Sequence, residues 1–187
     1  MKKTLFVGLA MCMIALTSMA QNVQEPQFIG DVQVLTSDST VLNLEKKTGA
    51  YKSKAGISMK LTGFGSVKTR LHVEGDKATT RIALKDQKVI LLVRAANNNS
   101  DPSDFISVFK FEQKKKERRA EMASVNTFGG SSTNNFNYIP YNAKKFGESS
   151  YLLYLDITEP CEMGVMVSNP DENVDKQLIV RCLGIDK

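Results

Sequence analysis

Hydrophobic and polar residues alternate with a period of two along most of the chain, and turn residues interrupt the alternation at short intervals. Side chains on a pleated backbone point to opposite faces in turn, which gives that period, whereas an amphipathic helix repeats near 3.6. The pattern predicts strands over residues 28–35, 40–44, 57–61, 67–73, 79–84, 89–93, 105–111, 151–157, 163–167 and 178–183. Ser37-Asp38-Ser39, Gly63-Phe64-Gly65, Glu74-Gly75-Asp76 and the Asn97-Asn98-Asn99-Ser100-Asp101-Pro102 cluster supply turns between them. Val89-Ile90-Leu91-Leu92-Val93 is apolar at every position, as a central strand covered on both faces requires, and Lys85-Asp86-Gln87-Lys88 is read as closing a hairpin between it and residues 79–84. So many short strands must bury one face each against something. The predicted fold is all-β, a two-sheet antiparallel β-sandwich of immunoglobulin-like or jelly-roll-like type.

Residues 113–123, Gln-Lys-Lys-Lys-Glu-Arg-Arg-Ala-Glu-Met-Ala, are good helix formers that directly continue the strand rhythm of Phe109 and Phe111. A β-hairpin with a Lys-Lys-Lys-Glu tip is preferred to a short surface helix. Residues 126–137 are rich in Gly, Ser, Thr and Asn and predict a long exposed loop. No repeat of fixed period is visible.

The amino terminus changes the setting. Lys2 and Lys3 precede an apolar run over residues 5–16, and Ser18-Met19-Ala20 is a small-x-small cleavage site, so residues 1–20 read as a secretory signal. The residue before Cys12 is Met11 and not the small residue that lipid modification favours, so Cys12 leaves with the signal. Residues 21–187 then form one β-sandwich domain in the periplasm, at the outer-membrane surface or outside the cell, with no transmembrane segment. Loss of Lys2 and Lys3 lowers the net charge from +5 to +3, too small an excess to predict nucleic acid as a partner.

Cys161 and Cys182 remain, widely separated and unlike the C-x-x-C of a thiol oxidoreductase. If residues 163–167 and 178–183 pair around Asn169-Pro170-Asp171-Glu172-Asn173, opposed positions sum to about 345, and Cys161 and Cys182 come within reach of a disulfide after a small register adjustment. Two reduced, buried thiols are the alternative.

No catalytic set emerges. Ser107-Val108-Phe109-Lys110 and Lys47-Thr48-Gly49 match the S-x-x-K and K-T-G elements of serine penicillin-binding enzymes, but in a strand an offset of three puts Ser107 and Lys110 on opposite faces. His72 is the sole histidine and is expected on an exposed polar face with Lys68 and Arg70, which leaves no histidine triad and no multi-histidine metal site. Gly63-Phe64-Gly65-Ser66 lacks the third glycine of a dinucleotide fingerprint. No cofactor or metal is expected. Carboxylate-only hydrolysis stays open in principle, since acids are plentiful but no pair stands out.

Two segments are candidate ligand-binding residues. Lys114, Lys115, Lys116, Arg118 and Arg119 form the densest charge on the chain, readable as a solvated, aggregation-guarding hairpin or as a contact for an anionic envelope polymer or lipid head group, with Lys144-Lys145 able to add to it. Phe136, Tyr138 and Tyr141 place three aromatics with amide neighbours after the flexible loop, either as a recognition platform or as packing over the end of the sandwich.

The signal ending in Ala-Gln, the phrase Phe105-Ile106-Ser107-Val108-Phe109-Lys110-Phe111 followed by Lys114-Lys115-Lys116-Glu117-Arg118-Arg119-Ala120-Glu121, and Thr158-Glu159-Pro160-Cys161-Glu162 together resemble small uncharacterised exported all-β proteins of Bacteroidetes-type bacteria. That resemblance implies export and an all-β fold and carries over no site residues. The expected function is a non-enzymatic exported binding or envelope module whose partner is an envelope glycan, a protein or an anionic surface. A carboxylate-dependent hydrolase acting on envelope glycan is the alternative.

Overall fold

A computed structural model of the chain describes residues 23–36, 40–62, 64–85, 87–126, 131–133, 135–168 and 178–187. The predicted signal at residues 1–20 and the predicted turns at 37–39 and 169–173 lie outside the described residues. The strands are β1 (Val32–Leu35), β2 (Val41–Asn43), β3 (Glu45–Ala55), β4 (Ser66–Glu74), β5 (Arg81–Ala83), β6 (Lys88–Arg94), β7 (Ile106–Lys110), β8 (Glu112–Gln113), β9 (Glu117–Asn126), β10 (Ser131–Thr133), β11 (Asn137–Tyr138), β12 (Tyr141–Phe146), β13 (Ser150–Asp156), β14 (Cys161–Val167) and β15 (Ile179–Asp186). Helix α1 (Ile57–Thr62) and a 3-10 turn at Pro102–Asp104 interrupt them.

These strands build two antiparallel sheets packed together as a β-sandwich, the predicted class. One sheet runs β12-β13-β6-β1-β2, and the other runs β10-β9-β4-β3-β15-β14-β7-β11, with β5 added in parallel to β15 and β8 paired with β9. β6 is central, as its unbroken apolar run requires. The first core lies between the sheets, where Val32, Val34, Leu91, Val93, Leu153 and Leu155 meet Ile106, Val108, Met163, Val165, Leu183 and Ile185. A second core forms on the far side of β14, β15 and β7. β8 follows β7 after one residue, Phe111, and pairs with β9 at the opposite end of the sheet path, so the larger sheet curls back on itself. Phe109, Phe111, Val180 and Cys182 then pack against Leu71, Val73 and Ala120 inside the curl.

Several expectations change. Residues 57–61 are helical: Ile57, Met59 and Leu61 alternate over too short a window to separate a strand from a helix, and β3 and β4, on either side, pair with each other and leave α1 as their connection. β5 and β6 do not form a hairpin. β5 joins β15 in the larger sheet, where Arg81 reaches Asp186 through Nε at 2.8 Å and Nη2 at 2.5 Å, while β6 stays in the smaller one. The expected loop at 126–137 contains β10, which pairs with β9, and begins β11, which pairs with β7; residues 127–130 lie outside the described ones.

The β14–β15 pairing is correct in kind, but its opposed positions sum to 346: Cys161 faces Ile185 and Cys182 faces Gly164. One residue of register reverses the face of every side chain. Cys161 therefore packs beside the first core and Cys182 inside the second, on opposite sides of the sheet, and both are free thiols. The predicted disulfide is not formed.

Candidate functional site

The basic hairpin folds as the alternation implies, with β8 and β9 joined through Lys114, Lys115 and Lys116, and the Lys114 amide donating to the Glu117 carbonyl at 2.8 Å. Its charges divide into three groups. Lys115 and Lys116 are exposed at the tip. Lys114 and Arg119 pair with Glu112, the latter through Nε to Oε2 at 2.8 Å, and these hydrogen bonds, Arg119's first, hold the Glu112 carboxyl down at about 2. Arg118 points the other way and is fully buried, so it is corrected from a surface ligand contact to an interior residue. Its Nη2 donates to Glu45 Oε2 at 2.9 Å, and its Nε donates to the Gly75 carbonyl at 3.1 Å. At Arg118 β9 is flanked by β4 and β8, opposite Val73 and Gln113, and its inward side chain is enclosed by the curl.

His72 is likewise corrected. It lies opposite Leu71 and Val73 in alternation, as expected, yet is buried, with Nδ1 2.9 Å from Glu117 Oε2. The contact with His72 is the first cause that keeps the Glu117 carboxyl below its usual range.

The aromatic trio does not act as one platform. Phe136 stacks on Phe109 with centroids 4.5 Å apart and closes one side of the second core. Tyr138, 40% exposed, packs edge-on against Phe136 at 5.5 Å. Tyr141 starts β12 in the smaller sheet; its hydroxyl donates to the Ile106 carbonyl at 2.8 Å, and burial pushes it up to about 12. Lys144 and Lys145 also belong to β12, at the edge of that sheet, and not to the hairpin.

What the fold does bring together is the start of β11 and the flank of β9. A groove of about 250 Å³ opens where the chain passes from β7 to β8, lined by Arg70, Lys110, Phe111, Glu112, Arg119, Ala120, Glu121 and Asn137. A bulge supplies one of its walls. The β4–β9 register shifts between Thr69 and Arg70, so Met122 has no opposite residue and Glu121 reaches both Lys68 Nζ at 2.9 Å and Arg70 Nη2 at 3.5 Å. On another wall Lys110 holds Glu159 at 2.9 Å. The groove is thus rich in donors and acceptors fixed in ion pairs, with the Phe111 ring among its lining.

Arg70, Lys110, Glu112 and Glu121 are not among the binding residues expected from the sequence. Glu117, Arg119 and Glu121 alternate in charge at period two, as Lys68 and Arg70 repeat on β4, but only the bulge sets Glu121 opposite Arg70.

Among the described residues no group of three or more His, Cys, Asp or Glu side chains is placed to hold a metal ion, and no helix is long and apolar enough to cross a membrane. No protein-family model matches the chain, and neither a curated protein nor a solved structure is significantly similar to it.

Proposed function

We propose that the protein is an exported, non-enzymatic binding module whose recognition site is the groove between β9 and β11, and that its ligand is a glycan of the cell envelope. The observation that carries this reading is that Asn137 of the aromatic segment and Arg119 of the basic hairpin line the same groove. Sugar hydroxyls are recognised by planar, oriented donors and acceptors beside an aromatic face. Arg70, Arg119, Glu112, Glu121 and Asn137 supply the first, and Phe111, which lines the groove, supplies the ring. The signal grammar of residues 1–20 supports export.

Binding is favoured over hydrolysis by the state of the acids. A glycosidase needs one carboxyl kept protonated near neutral pH as a proton donor. The two acids of the groove are instead committed to cations, Glu112 to Arg119 and Lys114 and Glu121 to Lys68 and Arg70, and Glu112 is held at about 2.

The test is calorimetric titration with neutral hexose and N-acetylhexosamine oligosaccharides, using an acidic oligosaccharide for comparison. Saturable binding without release of reducing ends, weakened tenfold or more by Asn137→Ala or Arg119→Ala, supports the proposal. Hydrolysis of any of these glycans, or binding that both variants leave intact, rejects it.

A further inference from the structure

We propose that the β3–β4 end of the curled sheet is a docking surface for an anionic lipid bilayer, a property independent of the groove. Between Glu45 and Glu74 the chain contains no acidic residue, and five of its basic ones, Lys52, Lys54, Lys60, Lys68 and Arg70, lie on the β3–β4 pair and α1, whereas Lys46 and Lys47 pair with β15 at the far end of β3. The pairing of β3 with β4 sets Lys54 directly opposite Lys68 and Lys52 opposite Arg70. Like charges so placed repel and need an anionic neighbour. Glu121 answers Lys68 and Arg70, but neither Lys54 nor Lys60 has a carboxylate partner among the described residues.

The same end carries exposed apolar side chains. Ile57 and Leu61, four positions apart on one face of α1, are each 79% exposed, and Phe64, after the helix, is 55% exposed. Val125 is 54% exposed and lies in register with Val67 and Ala55 at the end of three adjacent strands, next to α1. A short helix about 9 Å long that presents aliphatic and aromatic groups beyond a collar of lysines fits a headgroup region: the apolar tip enters the interface and the lysines meet the phosphates. A second copy of this chain is a poorer occupant, because it would bring the same unanswered lysines against these.

The protein, with its amino terminus established by mass spectrometry, would be sedimented with phosphatidylcholine vesicles and with vesicles containing about one third phosphatidylglycerol. Binding is expected to the second only and to fall as salt rises from about 0.1 to about 1 M, over which charge screening tightens about threefold. Lys54→Glu/Lys60→Glu and Ile57→Ser/Leu61→Ser/Phe64→Ser should each weaken it at least tenfold. All five positions are exposed or at the tip, so thermal unfolding should stay unchanged. The chain has no tryptophan, so Phe64→Trp gives a sole indole whose emission should shift to the blue on the anionic vesicles. Absence of sedimentation with anionic vesicles, or binding that survives both sets of substitutions, overturns the proposal. So does self-association that these substitutions abolish. Asn137→Ala should bind vesicles like the parent, which separates this result from the groove's.

Discussion

Arg118 and Glu45 meet inside the curled sheet, guanidinium Nη2 to carboxylate Oε2 at 2.9 Å, with the arginine side chain wholly removed from solvent. Glu162, also buried, lies 3.7 Å from Arg118 Nη1 and receives the Ala78 amide at 2.8 Å and Arg81 Nη1 at 2.5 Å. The network ties β3, β9, β14 and the segment before β5 into one polar plug. Buried charges tolerate such a site only as a set, and removing one member leaves the others uncompensated. Arg118→Ala is therefore expected to lower stability by about 3–5 kcal/mol, read from urea unfolding, whereas Lys115→Ala at the exposed tip should change it by less than about 0.5 kcal/mol.

The thiols provide a second test. Burial raises Cys161 and pushes Cys182 up to about 12, so neither is nucleophilic near neutral pH in the folded protein. Iodoacetamide at mildly alkaline pH should leave Cys182 unmodified until denaturant is added. Non-reducing gels and intact mass should show no Cys161–Cys182 bridge, even in protein recovered from an oxidising compartment.

Acid should destabilise the fold through Glu25 and Glu112. The Ser149 amide, helped by Arg94, holds the Glu25 carboxyl at about 2, and Arg119 and Lys114 do the same for Glu112. Both folded values lie below the ordinary 4.5 of an unfolded glutamate. The stabilisation is therefore complete above pH 4.5 and is lost as pH falls through the window down to about 2. Glu25→Gln should lower stability at neutral pH and flatten its decline over that window, as followed by circular dichroism.

Packing inside the curl tolerates no added volume on β14. A methyl group on Gly164 would come within 2.7 Å of Phe111 Cε2 and 2.8 Å of Phe109 Cζ. Those rings also pack edge-on with each other, and Phe109 stacks with Phe136. Gly164→Ala is expected to cost about 1–3 kcal/mol and to increase the exposure of Tyr138, seen as faster quenching of tyrosine fluorescence.

The legible parts of the fold were those in which one face is consistently apolar. Val89-Ile90-Leu91-Leu92-Val93 marked the middle of a sheet, and the strand rhythm of Phe109 and Phe111 carried into the basic hairpin of β8 and β9. β3 escaped because its interior face is made of small and polar groups. Gly49, its one buried residue, leaves room for Leu71, to which a methyl group would come within 2.6 Å, and the outward face is Lys46, Thr48, Ala50, Lys52 and Lys54. β12 escaped as an edge strand whose middle residues are exposed, so no hydrophobic alternation marks it. The groove was half visible. Composition flagged the hairpin and the aromatic segment, but their meeting depends on the curl of the larger sheet, and Glu121 faces Arg70 through a bulge that no count along the strand predicts.

The most direct test of the binding groove is an amide chemical-shift map of the protein titrated with the oligosaccharide that binds best. The account predicts shifts concentrated at Arg70, Lys110, Arg119, Glu121, Asn137 and Tyr138. Shifts confined to other surfaces, or a spectrum unmoved by every envelope glycan tried, would contradict it.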